Sequence, residues 1–279
     1  VNIWERVLQI DRRYIFLLIG ISAAIPIILG LSLPTFLTPE VKGVYNAIEA
    51  LPKGSTVLVS FDYEPSSMPE LDPMAKAILR HMFGRGFKVV GVTLIPYGTG
   101  VAEELFVTMA REFNLKEGVD YDFLGYKPGY QAVVLGLGQD LKGSFPKDFY
   151  EQNTRKVPIL KNINSLRDFS YMMWLHDDAY GGYGWIIYGR QNYGIEIGSG
   201  CTAILATGMY PFWQAGQVTG IVGGLKGAAE YEKLMGYTGP ARLGMVAQSS
   251  IHVMIVGLIL LGNIAFILSK RKRKKEPSE

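Results

Sequence analysis

Two short acidic stretches of this sequence could do chemistry, and each follows a run of residues that reads as a strand. The first, DYEPSSMPELDP, carries Asp62, Glu64, Ser66, Ser67, Glu70 and Asp72. The second, HDDAYGGYG, carries His176, Asp177 and Asp178. Hard carboxylate oxygens beside an imidazole form a donor set for a divalent cation, with Asp62, Glu64 and Asp177 as the expected ligands. Asp and Glu are also ordinary turn and cap residues, as Asp72 before a proline would be. No cofactor is predicted from these motifs, and a divalent cation is the one the acidic stretches could hold.

Two further stretches add polar groups. Gly98, Thr99 and Gly100 open a helix, where backbone N–H groups could cradle an anion or Thr99 could simply cap. Position 103 is Glu103, so the third glycine of a dinucleotide fingerprint is missing. In GLGQDLKGS, Gln139 and Asp140 are expected to follow a strand. Ser199 or Cys201 beside a glycine turn could serve as a nucleophile with His176 as a distant base. However, GSGCT does not fit the G-x-S-x-G spacing. His81 lies on a helix rich in core residues and reads as a boundary or surface side chain.

The elements that would position these residues alternate. Residues 56–61, 88–95 and 131–137 are apolar runs of strand length, with 171–175, 185–188 and 194–197 as further strands. Between the first three lie helical patterns at 69–83 and 100–113, preceded by an amphipathic helix at 39–51. Strands apolar throughout and separated by helices predict a Rossmann-like, mostly parallel α/β sheet. Such a sheet directs the loops at its carboxyl edge into one crevice. The expected ligand-binding set is therefore Asp62, Glu64, Ser66, Thr99, Gly100, Gln139, Asp140, His176, Asp177 and Asp178. Glu230 and Glu232 fall on a helix expected to be remote from it.

Flanking this body are two uncharged stretches. Residues 244–268 contain no Asp, Glu, Lys or Arg and are followed by six consecutive cations from Lys270 to Lys275. That combination predicts a transmembrane helix with a basic cytoplasmic tail at 269–279. Residues 14–33 form a second uncharged run, too long for a signal-peptide core and lacking a clean small-residue cleavage pattern. A second transmembrane helix is expected there, kinked at Pro26, with Gly20 and Ala24 as a close-packing face. Residues 1–13 read as a short amphipathic segment, cytoplasmic or interfacial. Arg12 and Arg13 agree with the C-terminal cations, so both ends are expected in the cytoplasm and residues 34–243 outside it. His252 is expected near the outer interface and Asn263 in helix packing.

Charge and composition narrow the partners. Net charge is +3, of which residues 269–279 contribute +4 and residues 1–13 contribute +1, leaving −2 for the body. A near-neutral body with a basic tail excludes nucleic acid and points to anionic lipid headgroups. One cysteine permits no internal disulfide. Residues 197–225 carry no charge and hold Tyr210, Phe212 and Trp213, which suits a surface packed on another membrane protein. The sequence thus predicts an anchored, extracytoplasmic ligand-binding or accessory subunit of an oligomeric membrane complex. The alternative is a membrane-bound, metal-dependent hydrolase using the acidic crevice.

Overall fold

A computed structural model describes residues 3–31, 34–177 and 183–273. They fall into two compact units, Thr35–Ala241 and the joined flanks Val1–Pro34 and Arg242–Glu279.

In the N-terminal flank, α1 (Ile3–Leu8) buries none of its residues. Helix α2 (Arg12–Ile28) follows, with Asp11 accepting from the Arg13 N–H at its start. It is 17 residues long, shorter than the expected 14–33 span. The reason is a left-handed stop at Gly30 (φ 60°), where Gly30 N–H returns to Ile27 O and Leu31 N–H to Pro26 O. This double return is the Schellman arrangement that glycine favours.

The α/β unit opens with α3 (Pro39–Glu49), β1 (Thr56–Asp62), α4 (Met68–Gly84), β2 (Lys88–Thr93), α5 (Gly98–Phe113) and β3 (Tyr121–Tyr126). Helix α6 (Tyr130–Gln139) and the turn α7 (Leu141–Ser144) precede β4 (Tyr171–His176). A π-helical turn at Trp185–Arg190 and α8 (Gln191–Tyr193) lead to β5 (Ile197–Cys201). Helix α9 (Ala203–Gln214), β6 (Ile221–Gly223) and α10 (Gly224–Leu234) complete the unit. The six strands form one sheet in the order β3-β2-β1-β4-β5-β6, and every pairing is parallel. Side chains alternate between its faces. Leu58, Val90, Val92, Met172 and Trp174 join one core cluster with α6 and α9. On the other face Phe61 meets Phe106 of α5 edge-on at 5.5 Å.

Four elements differ from the expected ones. Residues 131–137 form α6 rather than a strand, and the third strand is β3, whose apolar run is interrupted by Asp122. Residues 185–188 belong to the π-helical turn. A short apolar run carries no periodicity that separates a strand from a buried helix. The strand expected at 194–197 instead occupies Ile197–Cys201, so the glycine-rich GSGC is itself buried sheet. Gly198 and Gly200 fit because a Cβ there would lie 2.1 Å from the Tyr171 hydroxyl and 2.6 Å from Leu175 and Met74 atoms. The short strand β6 had no strong signal of its own.

Both ends of the α/β unit are fastened to α10. Glu230 accepts from the Thr38 N–H and hydroxyl, each at 2.7 Å, and Lys233 donates to Thr35 O at 2.6 Å. Glu232 accepts from Gly239 N–H at 3.1 Å and Ala241 N–H at 2.8 Å. Both glutamates are completely buried. They are structural clamps on α10, and neither lines the cavity at the carboxyl edge of the sheet. His81 is also interior: its Nδ1 meets the Tyr231 hydroxyl at 2.7 Å and its Nε2 meets Glu49 at 2.9 Å. Burial lowers its pKa, opposed by the hydrogen bond to Glu49.

The C-terminal flank is α11 (Pro240–Arg273). Its Pro240–Lys270 stretch of 31 residues contains an 18-residue window whose mean hydropathy is 2.5 and which is 6% buried. Among the described residues it is the one helix long and apolar enough to cross a membrane.

Backbone packing in the α/β unit makes one stability prediction. A Cβ at Gly43 of α3 would lie 2.2 Å from Thr219 O, and one at Gly220 would lie 2.2 Å from Glu40 O. The two glycines let α3 lie directly on the chain entering β6. Overpacking costs roughly 1–3 kcal/mol, and a domain of this size loses about 2–4 °C of Tm per kcal/mol. Gly43→Ala should therefore lower the unfolding midpoint by several degrees in calorimetry, whereas Gly54→Ala, where a Cβ meets open space but φ is 79°, should report backbone strain alone.

Candidate functional site

Strand order reverses between β1 and β4, the place where an open parallel sheet leaves a crevice at its carboxyl edge. Register puts Asp62 beside His176 there. Asp177 N–H donates to Asp62 O at 3.3 Å, and Asp177 Oδ2 accepts from Glu64 N–H at 2.7 Å. The two acidic stretches therefore meet on one edge.

A cavity of about 280 Å³ opens at this edge, lined by Ser66, Ser67, Glu70, Asp177, Thr202 and Ile204 among others. Glu70 Oε2 accepts from Ala203 N–H at 3.0 Å, so this carboxylate holds the first turn of α9 against the loop after β1. Each carboxylate accepts from a backbone N–H through one of its oxygens. Two carboxylates and three hydroxyls on the lining suit a ligand that donates hydrogen bonds or carries positive charge, and disfavour a phosphate.

Asp62 sits beside this cavity but faces inward. Its Oδ1 accepts from Leu94 N–H at 2.7 Å, and its Oδ2 accepts from the Ser60 hydroxyl at 2.6 Å and the Trp185 indole at 3.2 Å. Burial pushes its pKa up to about 6 against those stabilising bonds. It fastens β1 to the end of β2 and to the π-helical turn. His176 is buried, stacked on Trp174 at 3.7 Å between ring centroids, with Nε2 3.0 Å from Ser199 Oγ. That pair has the spacing of a base and a hydroxyl, but both side chains are sealed inside the sheet. Cys201 is likewise buried, and desolvation pushes its thiol up to about 12, which makes it a poor nucleophile. The nucleophile reading of Ser199 and Cys201 thus has no accessible site.

The other expected residues divide, Thr99 and Gly100 following the carboxyl end of β2 and Gln139 and Asp140 lying elsewhere. Thr99 and Gly100 lie in the first turn of α5, whose N-cap position is Tyr97 with no side-chain cap bond. Gly98 there is pressed against the end of β1, where a Cβ would be 2.1 Å from Phe61 O. Gln139 and Asp140 are not at a strand end, because the run before them is α6. They close the far end of that helix, where Leu141 N–H donates to Asn164 O at 2.7 Å ahead of β4. Asp140 there caps α7 through Gly143 N–H at 3.0 Å. Asp178 lies outside the described residues. Among the described residues no three His, Cys, Asp or Glu side chains are grouped to hold a metal ion. Asp62, Glu64 and Asp177 share an edge without converging on a cation.

Ser67, Glu70 and Thr202 are cavity residues absent from the expected set. Glu70 had a local signal, since it lies in the same acidic stretch as Asp62. Thr202 follows the glycine-rich GSGC, a stretch expected as a loop at the crevice; that stretch is strand β5, and Thr202 is the residue just beyond its end. Comparison with known protein families and with characterised proteins finds no match to this chain.

A buried carboxyl pair joins the outer strand β3 to the segment after α7. Asp122 is fully buried, its two oxygens lack hydrogen-bond partners, and burial beside Asp148 raises its pKa to about 7. Asp148 is raised as well, first by burial. An aspartate near 3.9 in the unfolded chain but near 7 when folded binds its proton more tightly in the folded state. Its contribution is fully favourable below the unfolded value and is lost as pH rises through about 7. Asp122→Asn should therefore raise Tm relative to the parent at pH 8, and the advantage should shrink toward pH 4. Differential scanning calorimetry of both proteins across that range reads the effect, and a pH-independent difference would contradict it.

Proposed function

We propose that this chain is a membrane-anchored binding subunit whose α/β unit lies outside the cytoplasm and takes a small amine or polyol at the edge between β1 and β4. The observation that carries this reading is the cavity, lined by Glu70 and Asp177, at the reversal of strand order. Its acidic and hydroxyl lining matches donors on the ligand. Anchoring rests on α11 and its basic end. A second anchor is proposed for α2, whose 17 residues stand at the short end of spanning lengths. Supporting it, the chain enters and leaves the α/β unit along one helix, α10, as two tethers in one membrane would require. The uncharged α9 surface, with Ile204 86% exposed, suits a contact with another membrane protein.

The hydrolase alternative calls for a held metal or an activated nucleophile; among the described residues no three His, Cys, Asp or Glu side chains are grouped for a metal, and the His176–Ser199 pair is buried.

Ligand binding is tested on the full chain in detergent. Spermidine, choline, glycerol and trehalose form the probe panel, with inorganic phosphate as the opposing case. At least one amine or polyol should raise Tm, since ligand at 100 times its Kd adds about 2.7 kcal/mol of stability. Asp177→Asn and Glu70→Gln should remove most of that rise, and phosphate should produce none. Stabilisation by phosphate, or a rise untouched by either substitution, would overturn the reading.

Topology is tested separately by cysteine labelling in intact cells. Lys53→Cys, on the exposed surface of the α/β unit, should react with a membrane-impermeant maleimide. Ser278→Cys in the basic tail should react only after permeabilisation. The reverse pattern would place the α/β unit in the cytoplasm.

A further inference from the structure

Asn263 lies within α11, seven residues before Lys270, or roughly 10 Å inside the basic end. It is exposed, and its carboxamide has no hydrogen-bond partner among the described residues. A short amide at that depth cannot reach the headgroups, and an unsatisfied amide in hydrocarbon is costly. On the same face, Val256 is 55% exposed, Leu260 57% and Ile267 51%. With Asn263 these residues follow a 4-3-4 spacing, the seam of a left-handed helix pair. Much of the face turned toward α2 lies elsewhere around the helix. Met254 and Gly257 line a cavity of about 800 Å³ with Ser22 and Pro26 of α2, although Ser249, about 40° from Asn263, lines the same cavity. At 100° per residue Met254 stands half a turn around the axis from Asn263. Ala265, completely buried, is 200° from it.

We infer that α11 pairs with α11 of a second copy of this chain, with Asn263 bonded to its counterpart. Copies inserted in one membrane with the same orientation present parallel helices, so a two-fold axis sets Asn263 of one against Asn263 of the other. A carboxamide is both donor and acceptor, so an identical partner satisfies it. The Val256, Leu260 and Ile267 side chains then pack above and below the amide pair. Small faces and single polar groups are the usual means of association where lipid removes the hydrophobic drive. This pairing rests on α11 being a membrane helix, and it is independent of what the cavity binds.

The test uses the full chain in its native membranes. Asn263→Cys should form a disulfide-linked dimer on mild oxidation, and Leu261→Cys, on the far side of the helix, should not. The wild-type chain is the control, because Cys201 is buried in the sheet. Asn263→Leu should weaken dimerisation about ten-fold in a dilution series in vesicles, read by energy transfer between labelled copies. Equal cross-linking at 263 and 261, an adduct with a different protein, or unchanged affinity in Asn263→Leu would each overturn the pairing. Release of the chain by alkaline carbonate would instead remove the membrane reading, a result distinguishable from a monomer that stays in the bilayer.

Discussion

The pairing of β1 with β4 is the contact on which the candidate site depends. It places Leu58 beside Met172 and Asp62 beside His176, residues that lie far apart in the chain. Because the strand order reverses there, the connections that follow these two strands leave in opposite directions and their first residues stay apart as a crevice. The backbone knits that crevice together through Asp177 N–H to Asp62 O and Glu64 N–H to Asp177 Oδ2. Asp62 is consumed in holding the junction closed. The acidic groups left facing the cavity are Glu70 and Asp177.

Buried carboxylates carry much of the architecture elsewhere as well. A buried glutamate is tolerable only when its charge is met by donors. Glu230 and Glu232 meet theirs at the two points where the chain enters and leaves the α/β unit. Removing the Glu232 carboxylate would strand two backbone N–H groups, and removing that of Glu230 would strand one N–H and the Thr38 hydroxyl. Asp122 is the contrary case, a carboxyl without donors that relies on protonation and on its neighbour Asp148. Between them these groups explain why a body of nearly neutral charge can contain so many interior acids. Most of them bond backbone rather than solvent or ligand.

The C-terminal helix joins the two halves of the functional proposal. Its apolar length is enough to cross a membrane, and Asn263 on an apolar face is the proposed means of recognition. A binding unit held at the membrane and paired with a second copy would present two cavities on one assembly.

Periodicity and composition were enough to establish several features of this protein. The apolar runs at β1, β2 and β4, the helical spacing at α3, α4 and α5, and the uncharged stretch before the C-terminal cations were all legible, because each is a local pattern repeated over several turns or strand residues. The same reading mistook α6 for a strand and passed over β3, since seven apolar residues look alike in either state and Asp122 broke the true strand's pattern. That error carried Gln139 and Asp140 to the wrong edge of the sheet. The length of α2 hung on the backbone turn at Gly30. The roles of the acidic residues could not be read at all. Asp62, Glu70, Glu230 and Glu232 are chemically near-identical in the sequence, and only the packing of distant segments decided which would face a cavity and which would hold the backbone. The free energy of a carboxylate is set by the donors and solvent around it, and those neighbours are brought by the fold.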